Sequence, residues 1–195
     1  AARSGFWISF WASDKASYIH VKCSWYSSMS LWLSVMMKSL TFIRTISMSA
    51  CNRPQRVAGF HFFNPVPRMQ LVEIIRVEGT PEKTVEYAKQ VALEMGKTPV
   101  VTGDAPGFIV NRLLLPFLNE AMDKLADGTS TAEDIDAAVT LGLNHPMGPL
   151  ALADLIGLDV CQAILEVLHE GYQDSKYKPC PTLCEMVEKG ELGRK

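Results

Sequence analysis

Five residues, Gly103-Asp104-Ala105-Pro106-Gly107, split the regular part of this chain into two stretches of different periodicity, so no single fold class spans both. Ahead of the break, Val57 to Phe63 is an apolar and aromatic run that enters the turn Asn64-Pro65-Val66-Pro67, the pattern of a strand and its exit. Gln70 to Val77 carries β-branched Val72, Ile74 and Ile75 and reads as a second strand. Thr80 then has the chemistry of an N-cap, with Pro81 at the first helical position and Glu82 in the first turn. Val85, Ala88, Val91, Ala92 and Met95 recur at helical spacing, and Gly96 is the stop signal. Thr98 to Val101 reads as a further short strand, so this stretch is β-β-α-β, the tail of an α/β sheet.

After the break every pattern is helical. Phe108 to about Ala126 is a long helix whose Leu113, Leu114, Phe117, Leu118, Met122 and Leu125 cover more than one face, which predicts burial on several sides. Ser130 to Glu133 has the spacing of a capping box and opens a short helix to about Leu141. Pro149 opens the next helical stretch, interrupted at Gly157, and Pro181 starts a last helix that stops at Gly190. The fold class is therefore α/β followed by all-α, with boundaries at 52–103 for the sheet part and 104–195 for the helical part.

Residues 1–51 follow neither pattern. Gly5 is the only glycine before Gly59, no proline precedes Pro54, and Asp14 is the only acidic residue before Glu73. All four tryptophans (Trp7, Trp11, Trp25 and Trp32) fall here. A membrane span needs about 20 apolar residues, and the best run, Leu31 to Met37, is stopped early by Lys38. A transit peptide would be serine-rich and acid-poor, as this stretch is, but it should also begin with Met and be amphipathic. A stretch that is not selected coding sequence alone accounts for the missing glycine, proline and acids together. The last two readings stay open, and no chemistry is assigned to the segment.

Net charge is −2, which gives no electrostatic case for nucleic acid or an anionic membrane as partner. The five cysteines, Cys23, Cys51, Cys161, Cys180 and Cys184, form no C-x-x-C pair, so neither a zinc site nor a disulfide framework is favoured. No metal is expected. Reduced structural thiols in a reducing compartment are the expectation.

Three residues carry candidate chemistry. His61 ends an apolar strand, where a lone histidine is more often structural than catalytic. Glu73 is the only acid in the following strand, flanked by Val72 and Ile74, and is costly to bury unless paired. If the two strands are neighbours, Glu73 can meet His61, fix its tautomer and stabilise the imidazolium, as a general base requires. A structural His–Glu hydrogen bond is the alternative. Asn111 lies in the first turn of the long helix, where its amide either bonds loop backbone or points at a substrate oxygen in a cleft between domains. Arg112 beside it can pair with an acid of the preceding loop such as Asp104.

His61-Phe62-Phe63-Asn64-Pro65-Val66-Pro67, followed by Leu71-Val72-Glu73-Ile74-Ile75, resembles the signature of the L-3-hydroxyacyl-CoA dehydrogenase family. Asp104-Ala-Pro-Gly-Phe-Ile-Val-Asn-Arg112 is similar to that family's entry into its C-terminal domain, and His145-Pro146-Met147-Gly148-Pro149-Leu150 to its next motif. The resemblance runs from about Asn52 to Lys195. Related enzymes acting on sugar acids share the fold but usually lack the His-Phe-Phe-Asn-Pro form.

The resemblance implies a Rossmann domain that binds NAD, a helical domain that forms a homodimer, and an acyl-CoA substrate. It also implies that His61 takes the proton from the 3-hydroxyl, that Glu73 orients His61, that Asn111 hydrogen-bonds substrate near the reacting carbon, and that Asn64 lines the same pocket. The family's Gly-x-Gly-x-x-Gly, which receives the pyrophosphate at a helix N-terminus, does not occur in this sequence, so its cofactor-binding residues are unassigned. A substrate-contacting serine of the family has no clear counterpart around Met37 to Thr41, and the usual Gly-Phe-Tyr close is not present. The resemblance thus implies a chain truncated at both ends and inactive alone. Two alternatives stand beside the dehydrogenase: a non-catalytic dimerising or acyl-CoA-binding module, and a fragment of a multifunctional fatty-acid oxidation protein.

Overall fold

A computed structural model of the chain describes residues 7–10, 19–22 and 57–194. Apart from two short strands, the expectations for residues 1–51 lie outside the described residues. The described part divides into a sheet unit that ends at Ile109 and a helical unit that begins at Val110. The α/β-then-α order expected from the sequence is the order observed, with the 104–109 linker grouped with the sheet.

In the sheet unit, β1 (Trp7–Phe10) and β2 (Ile19–Lys22) pair antiparallel, and β2 runs parallel to β3 (Gly59–Phe62). Strand β4 (Leu71–Arg76) pairs antiparallel with β3 and parallel with β5 (Thr98–Gly103), giving the order β1-β2-β3-β4-β5. Helix α1 (Glu82–Glu94) connects the parallel pair β4 and β5, so β4-α1-β5 is a βαβ crossover. Val72, Ile74 and Phe60 pack with Val85, Ala88 and Ala92 of α1 in one cluster. Alternation along β3 and β4 then sends His61 and Glu73 to the face opposite α1. Strand β4 is buried from Val72 through Ile75, so both of its faces are covered.

Thr80 departs from the sequence expectation. Pro81 flanks α1 and no side chain caps it. The buried Thr80 hydroxyl instead donates to the Val57 carbonyl at 2.8 Å. A buried carbonyl at the entry to β3 needs a donor, and that tertiary demand takes the hydroxyl that a helix end in water would have used.

The helical unit holds α2 (Val110–Ala126), α3 (Ala132–Gly142), α4 (Pro149–Ile156), α5 (Leu158–Tyr172), a short 3-10 turn (Ser175–Tyr177) and α6 (Pro181–Glu188). Leu115, Leu118 and Met122 of α2 join Ala153, Leu158, Cys161, Ile164, Leu165, Leu168 and Leu183 in one core. Leu113, expected inside, remains 70% exposed, so α2 buries one broad face rather than its whole circumference.

The capping pattern of α3 shifts by one residue: Thr131 caps the helix, its hydroxyl accepting from the Asp134 amide at 3.2 Å. Thr131-x-x-Asp134 repeats the Ser130-x-x-Glu133 spacing one step on, and the Thr129 amide is already tied to Asp127 at 2.8 Å.

Asp136 of α3 accepts from the Leu150 and Ala151 amides at 2.8 and 3.0 Å, satisfying the first turn of α4. A Cβ on Gly148 would lie 2.2 Å from the Asp136 carboxyl carbon, so the Gly148-Pro149-Leu150 motif is the sequence form of this cap.

Asn119 is buried in the middle of α2. Its amide donates to the Lys178 carbonyl at 3.1 Å and accepts from the Cys180 amide at 2.8 Å, pinning the chain that leads into α6.

Candidate active site

Strands β3 and β4 place His61 directly across the ladder from Glu73. His61 Nδ1 lies 2.6 Å from Glu73 Oε2, with side-chain exposures of 27% and 1%. The second carboxylate oxygen, Oε1, accepts from the Ile109 amide at 3.0 Å. An ionised carboxylate only accepts, so Nδ1 carries the proton and Nε2 keeps its lone pair. The imidazole is bracketed by aromatic rings, with Phe63 at 4.7 Å and Phe108 at 5.3 Å between centroids. This geometry can take up a proton at Nε2 while a buried negative charge faces the developing imidazolium.

Asn64 is exposed, two residues beyond β3, and its bond to Pro65 is cis. The loop it begins is held by Lys97, whose ammonium donates to the Val66 carbonyl at 2.6 Å and the Met69 carbonyl at 2.8 Å. Asn111 is half-buried near the start of α2 in the helical unit. Its amide makes no hydrogen bond among the described residues, and the preceding turn is closed by backbone bonds from Ala105 to Gly103 and from Phe108 to Ala105.

Arg112 does not take the partner expected from the sequence. Its Nε donates to the Tyr177 hydroxyl at 3.2 Å and its guanidinium sits 4.3 Å over the Tyr172 ring. The Tyr177 hydroxyl and then Tyr172 hold its pKa above the already high guanidinium value. A planar cation suits an aromatic face and a phenol oxygen, both of which the helical unit supplies.

Burial pushes the Cys180 and Cys184 thiols up, which keeps them protonated. Among the described residues no group of three or more His, Cys, Asp or Glu is arranged to hold a metal, and no helix is long and apolar enough to cross a membrane.

Sequence reasoning anticipated the contact of His61 with Glu73 but not the contacts of Lys97, Phe108 and Ile109. Lys97 follows a helix stop and resembles any solvated lysine. Ile109 acts through its backbone, which no residue type advertises. Only the glycine preceding Phe108 hinted at unusual backbone there.

The 3-hydroxyacyl-CoA dehydrogenase NAD binding domain matches residues 39–105, and the C-terminal domain of the same family matches residues 107–195. A 3-hydroxybutyryl-CoA dehydrogenase of Bradyrhizobium diazoefficiens is 55% identical over 147 residues, which is 75% of this chain and 50% of the relative. A probable 3-hydroxybutyryl-CoA dehydrogenase of Bacillus subtilis is 56% identical over 144 residues, again 50% of its length. The chain thus spans about half the length of the curated relatives it matches. The crystal structure of (S)-3-hydroxybutyryl-CoA dehydrogenase from Ralstonia eutropha superposes with a TM-score of 0.77 at 37% identity, covering 90% of this chain and 67% of that one. The chain belongs to the 3-hydroxyacyl-CoA dehydrogenase family.

Proposed function

We propose that this chain carries the proton-handling part of an NAD-dependent enzyme that interconverts (L)-3-hydroxyacyl-CoA and 3-ketoacyl-CoA. The observation that carries the proposal is the 2.6 Å contact of His61 with a fully buried Glu73, set directly across one ladder inside the motif that bears the family resemblance. On this reading residues 52–103 are the closing part of the dinucleotide-binding domain and residues 104–195 the helical domain. Nε2 of His61 accepts the proton of the 3-hydroxyl. Glu73 holds the ring in the tautomer that leaves Nε2 unprotonated and offsets the charge that His61 acquires. Asn111 directs its amide to a substrate oxygen, and Asn64 lines the same pocket. NAD supplies the hydride acceptor; no described residue forms a phosphate cradle for it, and the roles assigned to these residues concern the proton and the substrate alone.

The test joins residues 57–195 of this chain behind the N-terminal half of the Bacillus subtilis relative. The chimera should form NADH from (S)-3-hydroxybutyryl-CoA. A folded chimera that binds NADH and turns nothing over would overturn the proposal and leave the non-catalytic module as the better account.

The helical unit also supports a homodimer. Leu113, Leu141, Leu143 and Leu155 are between 54% and 83% exposed, apolar surface that a second copy of the chain would cover. The chain should sediment as a dimer at roughly tens of micromolar, where weak dimers persist, and Leu141→Glu should shift it towards monomer. An unaltered chain that stays monomeric across that range would remove the dimer from the account.

A further inference from the structure

We propose that the turn Gly107-Phe108-Ile109 is a positioning element of the His61–Glu73 pair, and not only the joint that leads into α2. The inference rests on the reading of His61 as proton acceptor. Pairing across the ladder brings the two side chains opposite each other, but it does not fix the carboxylate about its last bond or the imidazole about its own, because torsions next to planar groups are broad. The turn supplies both restraints. The Ile109 amide takes Oε1, which leaves Oε2 directed at Nδ1. The Phe108 ring, tilted 50° to the imidazole at 5.3 Å, lies against it while Phe63 packs on it at 4.7 Å.

The backbone of the turn is unusual in a way that serves this contact. Gly107 and Phe108 have φ of 74° and 50°, two left-handed residues in succession, and the second is a bulky aromatic with little access to that region. Phe108 is only 8% exposed. Strain of this kind persists where the surroundings over-determine it, and here they include a hydrogen bond to one member of the pair and a ring contact to the other. Both restraints come from adjacent residues, so a change in the turn should reach His61 and Glu73 together.

The experiment is nitrogen-15 NMR of the full chain, following the His61 Nδ1–H proton and the Ile109 amide. In the unaltered chain the Nδ1–H proton should be resolved at low field and exchange slowly with water. Phe108→Leu keeps apolar bulk and loses the ring face. It should lose the Nδ1–H resonance to solvent exchange while the amide spectrum of the helical unit stays in place. Phe108→Tyr retains the ring and should restore the signal. A role confined to packing would lower stability and leave the imidazole signal where it was, so a folded Phe108→Leu chain with an unchanged Nδ1–H resonance would overturn the proposal. If Phe108→Leu does not fold, hydrogen exchange in the unaltered chain decides: the Ile109 amide and His61 Nδ1–H should open at one common rate, and independent opening overturns it. None of these measurements needs turnover, so the proposal can fail while the base assignment stands. Unimpaired turnover by His61→Gln would remove the base assignment and leave the link between turn and pair intact.

Discussion

Replacing His61 by glutamine should lower kcat of the active chimera by about 10²–10⁴, the usual worth of a positioned general base. Glutamine occupies similar space and can still hydrogen-bond, but it cannot hold a proton. The affinity for NADH should be nearly unchanged. Glu73→Gln should cost less in kcat than His61→Gln and more in stability. His61 Nδ1–H and the Ile109 amide are among the donors that converge on the Glu73 carboxylate. A carboxylate accepts from both. An amide has one oxygen and must turn its NH2 towards one of them, leaving buried donors opposed at about 1–3 kcal/mol. Kinetics and melting measured on both variants separate the two effects. Retention of more than about a tenth of the activity by His61→Gln, well outside the general-base range, would show that another group takes the proton.

For Asn111→Ala the expected loss in kcat is about 10²–10³, by analogy with donors that strengthen as charge develops on a reacting oxygen. The melting temperature should barely move. The sequence left open a second role, in which Asn111 ties down the Gly103–Gly107 loop, and that role would make the substitution a stability defect. The turn carries backbone hydrogen bonds of its own, from Ala105 to Gly103 and from Phe108 to Ala105, which a substitution at Asn111 leaves in place. A variant with unaltered kcat per folded molecule and a depressed melting point would return Asn111 to the structural role.

Much of this site was legible before any coordinates. A carboxylate between Val72 and Ile74 demands a partner when buried, and a histidine at the end of the neighbouring apolar run is the nearest group of suitable chemistry. The meeting of the two was conditional on their strands being neighbours, and period-3.6 repetition after Gly107 marked the change to helices. The helix limits followed from Pro149, Gly157, Pro181 and Gly190, residues whose backbone preferences act locally.

What escaped the sequence was every contact made over a long separation by a group with no periodicity of its own. The bond from Ile109 to Glu73 spans 36 residues, that from Thr80 to Val57 spans 23, and that from Asn119 to Lys178 spans 59. Thr80 looked like a cap and serves a strand carbonyl, and Asn119, to which the sequence reading gave no role, clamps a loop. Local propensity decides which elements the chain forms, because it acts within a few residues. Which polar group meets which is decided only when packing excludes water from both, since each must then find whatever donor or acceptor the fold has brought within reach.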